Sequence, residues 1–263
     1  MKKLFDFILE SLINSSELND KLKFIKITKE ELKSILDTDD YKHGKVLWDN
    51  FNMNNFDDIW LIEYGTYYKI SYDNNCIGMF SFLGPNDLID LEKESNNNQK
   101  YNDKMFMRFL YGPLIVNSYT NKYKDELIFD SNDLDLNDIF KKKIDNQLKL
   151  NKFMYSSYNN ILLDLYKKVG YIGIWVINQN IKKKLDINDF ALVKVFFNKL
   201  LKLCKDNGCK YIFAHGKDPR TQKMYIKLGG FKSFEKSLKE YFDTTNKENV
   251  MDDLIPGFVG KKI

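Results

Sequence analysis

The run YIGIWVINQNIKKKLDINDFALVKVFFNKLLKLCKDNGCKYIFAHGKDPRTQKMYIKLGGFKSF, residues 171–234, switches repeatedly between two hydrophobic periods. YIGIWVIN (171–178) is an apolar run of strand length. After a linker, Val193, Phe196, Phe197, Leu200, Leu201 and Cys204 recur at helical spacing, a stripe wide enough to pack on a sheet. Asn207-Gly208 closes that helix. CKYIFA (209–214) returns to a strand, and Asp218-Pro219 opens another helix with a capping carboxylate and a proline at its first position. GFKSF (230–234) ends the unit as a strand. A strand, a crossover helix and a parallel strand form a right-handed unit with a ligand crevice beyond the strand ends.

Working outward from this unit, residues 3–14 place Leu4, Phe5, Ile8, Leu9 and Leu12 on one helical face, with SSELND as the stop. LKFIKIT (22–28) alternates as a strand. Thr28 and Glu31 are spaced as a capping box for a helix beginning KEELKSIL. IWLIEY (59–64), YYKISY (67–72) and CIGMFSF (76–82) are three short β runs, with DNN (73–75) as a hairpin turn and antiparallel pairing expected. Residues 85–104 are polar and Asn-rich and read as a surface loop. MFMRFLYGPLIV (105–116) returns to a β pattern. Residues 133–150 are helical by period, and Ser157 caps a further helix that runs to Val169 and ends at Gly170. Three segments result: 1–84, an inserted block 85–169, and 170–263.

The 263 residues are 43% hydrophobic and 15% aromatic, enough to bury a core and too apolar for a disordered chain. Lys and Asn stand where Arg and Gln are commoner, the composition of an AT-rich genome. The 41 basic and 37 acidic side chains leave a formal charge of only +4, which argues against a dedicated nucleic-acid binder. The runs Lys141–Lys143 and Lys182–Lys184 read as solvated surface. Cys76, Cys204 and Cys209 cannot make a disulfide framework, so a reducing, cytoplasmic setting is expected. No stretch approaches the roughly 18 apolar residues of a membrane span, and no ligand pair has metal-site spacing. No membrane partner and no metal are expected.

The element order of 171–235, with its closing phrase MYIKLGGF (224–231), resembles the GCN5-related N-acetyltransferase superfamily, whose last helix ends in Leu-Tyr-x-x-x-Gly-Phe. The resemblance implies an α/β fold: a mixed, mostly antiparallel sheet flanked by helices, here with a large α/β insertion. It implies acetyl-CoA or another acyl-CoA as cofactor. The backbone of Ile174, Trp175 and Val176 would hold the pantetheine arm. The pyrophosphate loop would fall on Asn188, Asp189, Phe190, Ala191, Leu192 and Val193, its backbone N–H groups facing phosphate. The chain departs from the family's phrase there: Asn188 leads, Ala191 and Val193 replace small residues, and Asp189 adds a negative charge. Asp218 stands where an Asn touches the cofactor, or is simply a helix cap. Tyr225 stands where the family often has the acid that protonates the leaving thiolate, or packs the last helix. Glu63 and His215 are the candidate bases, each with a plain structural alternative.

Two functions follow. One is acyl transfer to an amine on a small molecule or a protein. The other is a catalytically silent member of the same fold, binding protein partners in an assembly such as a bacteriophage virion. YGPLI (111–115) raises a third, an aminoacyl-transferase of the peptidoglycan-bridge type.

Overall fold

The computed structural model describes residues 16–36, 65–95, 113–130, 142, 164–216, 219–243 and 257–263. Helix α1 (16–21) leads into β1 (Leu22–Ile27), α2 (Lys29–Leu36), β2 (Thr66–Tyr72) and β3 (Asn75–Leu83). Then come α3 (Pro85–Ser95), α4 (113–120), a 3-10 turn (Lys124–Glu126), β4 (Val169–Ile177), α5 (Gln179–Lys184) and α6 (Asp189–Asp206). β5 (Tyr211–His215), α7 (Pro219–Gly229), β6 (Lys232–Ser233), α8 (Glu235–Asp243) and β7 (Phe258–Lys262) complete the order. The fold is mixed α/β; among the described residues seven strands form one sheet, in the order β1-β2-β3-β4-β5-β7-β6. The pairs β1/β2, β2/β3, β5/β7 and β6/β7 are antiparallel.

Two compact units divide the chain: residues 1–83 with 172–203, and 84–171 with 204–263. In the first, Asp73 (φ 44°) and Asn74 (φ 65°) turn the β2–β3 hairpin, two successive positive-φ residues whose twist matches the strands. β3 is buried from Ile77 to Leu83, as a strand covered on both faces must be. Phe80 is the hub of an aromatic core, 4.7 Å from Phe24, 5.1 Å from Tyr68 and 5.4 Å from Phe196.

The capping box before α2 forms in both directions. The Glu31 N–H donates to Thr28 Oγ1 (3.1 Å), and the Thr28 N–H donates to Glu31 Oε2 (2.8 Å). Thr28→Ala should lower stability by about 1 kcal/mol, because one helix-end donor loses its acceptor. Urea denaturation would show it; an unchanged midpoint would mean that solvent satisfies the group equally well.

Four sequence expectations need correction. SSELND is itself helical from residue 16: residues 16–21 form α1, with Leu18 buried and Lys21 paired to Glu17 at 2.7 Å. The supposed loop from 85 is helix α3 as far as Ser95. Pro85 takes the first helical position, Asp87 accepts the Gly84 N–H (2.8 Å), and Leu88 is 1% exposed. The polar average of 85–104 hid this local start signal. Residues 113–116 belong to helix α4 and not to a strand, with Leu114 and Ile115 buried. Val169 and Gly170 open β4, because the preceding helix stops at residue 166. The helices expected at 3–14 and 133–150 and the strand at 59–64 lie outside the described residues, apart from helical Lys142.

The second unit has its own core. Phe213 stacks on Phe258 (5.5 Å, 11°) and lies 5.8 Å from Phe234, while Phe129 meets Tyr211 edge-on at 4.8 Å. The segment 113–130 is tied to the C-terminal strands and helices by polar contacts. Lys232 Nζ donates to the Leu127 carbonyl (2.8 Å), the Tyr123 hydroxyl to Glu240 (2.7 Å), and the Asp130 N–H to the Tyr211 hydroxyl (3.2 Å). The Tyr123 phenol is pushed up to about 12 by its bond to the Glu240 carboxylate.

Candidate functional site

The expected pyrophosphate loop is a helix start that the chain has capped by itself. Asn178 caps α5, its side-chain oxygen accepting the N–H groups of Asn180 and Ile181 (both 3.0 Å). At the other end Asp186 adopts φ 49°, with Asp186 N–H to Lys183 O (3.1 Å) and Ile187 N–H to Lys182 O (3.2 Å). This left-handed C-cap reverses the chain onto Asn188. Asn188 Oδ1 then accepts the Ala191 N–H (3.1 Å), and its carbonyl accepts the Leu192 N–H (2.9 Å). Ala191 and Leu192 are buried, while Phe190 is 44% exposed.

Lys182 shapes the charge at this end of α6. Its side chain is 8% exposed, and its ammonium donates to the carboxylate of Asp189, which is 76% exposed. The run Lys182–Lys184 is therefore not all solvated surface, because Lys182 is buried. Only its neighbours Lys183 and Lys184 are exposed. The missed signal is positional: Lys182 lies one helical turn after the capping Asn178 and donates its N–H to the Asn178 carbonyl at 3.0 Å. A buried ammonium needs a counter-charge, and Asp189 supplies it.

The proposed pantetheine cradle, 174–176, is the second half of β4. The Trp175 indole stacks flat on Phe196 (4.1 Å, 2°) and meets Phe197 edge-on (5.9 Å, 67°). That side chain is therefore committed to packing α6, and a cradle here would be a matter of backbone groups.

Tyr225 and His215 belong to the second unit. Tyr225 is 3% exposed and packs edge-on against Phe231 at 5.1 Å. The Phe231 N–H donates back to the Tyr225 carbonyl (3.1 Å), so the MYIKLGGF phrase closes on itself. Burial, and then the neighbouring Tyr171 phenol, push the Tyr225 hydroxyl well above its ordinary range. It stays protonated across the neutral range, as an ordinary tyrosine does, and burial makes it a weaker proton donor than a solvated one. His215 is the last residue of β5, opposite Phe258, and is partly exposed. Its Nε2 lies over Gly257: a Cβ added there would stand 2.8 Å from it and 2.3 Å from the Gly216 carbonyl oxygen. Glu63 and Asp218 lie outside the described residues. Gly257 had no signature in the sequence, since its partners at 215 and 216 are distant in the chain.

Among the described residues no group of three or more His, Cys, Asp or Glu side chains could hold a metal ion, and no helix is long and apolar enough to cross a membrane. Architecture places the chain in the class of mixed α/β proteins with a mostly antiparallel sheet. Compared with protein-family models, curated proteins and solved structures, it finds no match.

Proposed function

We propose that the chain is an N-acyltransferase of the GCN5-related kind, moving an acyl group from acyl-CoA to an amine. The observation that carries this reading is the order of strand, helices, strand and helix from β4 to α7, which sets Tyr225 on the helix that follows β5. In the proposed reaction the amine nitrogen attacks the thioester carbonyl and the carbon–sulfur bond breaks. The departing thiolate takes the Tyr225 proton, and His215 or Glu63 accepts the proton shed by the amine.

A specific observation favours the second reading, a silent scaffold that binds protein partners. Asn188 already occupies the Ala191 N–H, and the Asp189 carboxylate sits in the first turn of α6 beside Lys182. A phosphate would meet a negative charge where backbone donors should receive it.

Calorimetric titration with acetyl-CoA separates the two. Saturable heat supports the transferase; no heat at high micromolar ligand leaves the scaffold. Given binding and turnover, Tyr225→Phe should cut kcat by about 100-fold, within the range of general-acid contributions, with little change in affinity. Equal kcat would remove Tyr225 from the mechanism.

A further inference from the structure

We propose that Cys204 and Cys209 form a reversible intramolecular disulfide, a redox-sensitive staple between the last turn of α6 and the residues that enter β5.

Both cysteines are buried, at 0% and 6% exposure, and both are free thiols. They occupy the two ends of a left-handed helix cap. Gly208 adopts φ +76°, its N–H donates to the Lys205 carbonyl (2.9 Å), and the Cys209 N–H donates to the Cys204 carbonyl (2.9 Å). This motif brings the side chain of the third-last helical position against the second residue past the cap. Those positions are Cys204 and Cys209, both buried at this cap. The chain just beyond is fixed, since the Lys168 carbonyl accepts both the Lys210 N–H (2.7 Å) and the Tyr211 N–H (3.0 Å). Partners are thus held together by backbone bonds on either side, whether or not the thiols react.

The oxidant is a small disulfide such as oxidised glutathione. Cys209, the less buried of the pair, attacks as thiolate and forms a mixed disulfide, expelling one glutathione thiolate. Cys204 then attacks the Cys209 sulfur and expels the second. Two thiol protons leave to solvent or to the departing thiolates, and the two electrons reduce the oxidant to two glutathione molecules. The interaction with Cys209, and then burial, raise the Cys204 thiol, so the second step is slow at neutral pH. The closed loop is short, so the cross-link restrains little unfolded chain. Its effect is local: it stops the last turn of α6 from fraying.

The test uses the full chain carrying Cys76→Ser, reduced and then incubated with oxidised glutathione. Both remaining thiols should disappear from maleimide labelling, the mass should fall by about 2 Da, and dithiothreitol should restore both. Peptide mapping should join 204 to 209, and the rate should rise about tenfold per pH unit as thiolate forms. Cys204→Ser in that background should stop at a glutathione adduct on Cys209. If the Cys76→Ser protein keeps both thiols, or stops at a stable glutathione adduct, the proposal is overturned. Cys204→Ala gives the same comparison should the serine variant not fold.

Discussion

Glu126→Ala should be about 3 kcal/mol less stable than the parent protein, because three donors would lose one buried acceptor. Glu126 is 5% exposed, at the end of the 3-10 turn. Its Oε1 accepts the Lys236 N–H at 2.7 Å, and its Oε2 accepts the Ser237 N–H (2.9 Å) and the Ser237 hydroxyl (2.5 Å). Two of these donors belong to the first turn of α8, whose N–H groups have no partner within the helix. A carboxylate there also complements the positive end of the helix. The alanine variant leaves two N–H groups in a site that water reaches poorly, and each such group costs on the order of 1–3 kcal/mol. Glu126→Gln should recover only part, since its NH2 would face an N–H. Asp125, whose bond to Lys236 is exposed, should matter little when replaced. Urea unfolding of the three variants checks the order; a Glu126→Ala midpoint equal to that of Asp125→Ala would show that the cap adds nothing.

The second large effect is expected at Gly257. Replacing it with alanine should destabilise the second unit by about 3 kcal/mol, the upper end for forcing atoms into packed space. The added Cβ would stand 2.3 Å from the Gly216 carbonyl oxygen and 3.0 Å from its carbonyl carbon. Backbone cannot swing aside as a side-chain tip does. Relief would mean separating the two strand ends and giving up the Gly216 N–H to Gly257 carbonyl bond, 2.8 Å long. The same methyl would press on His215 Nε2 at 2.8 Å, so the imidazole must turn. Thermal unfolding checks the stability loss, and a histidine side-chain NMR shift checks the displaced ring. A variant as stable as the parent, with the imidazole unmoved, would show that the two strand ends part at little cost.

The elements that repeat a period were legible. The hairpin turn at 73–75, the capping box of Thr28 and Glu31, and the cap glycine at 208 each rest on bonds between residues a few positions apart. The helix stripe from Val193 to Cys204 was legible for the same reason, since Phe196, Leu200 and Cys204 all end at 0% exposure. Reading failed where composition was averaged over a window. Helix α3 was lost among the asparagines that follow it, although Pro85 and Asp87 mark its start.

The candidate site was legible as residues and not as an environment. The sequence put Tyr225 on a helix after a strand; nothing in it said that the phenol would be buried beside Tyr171. It put Asp189 at the head of α6, and gave no hint that Lys182 would be folded inward to meet it.

Periodicity and caps, local by nature, determined the strand–helix alternation of the C-terminal third, because each rests on groups within a turn of one another. Only tertiary structure decided that Glu126 caps a helix 110 residues further on, and that Gly257 has no room for a methyl group. Such contacts exist only after distant backbone segments have been brought within van der Waals range, and no spacing in the chain records them.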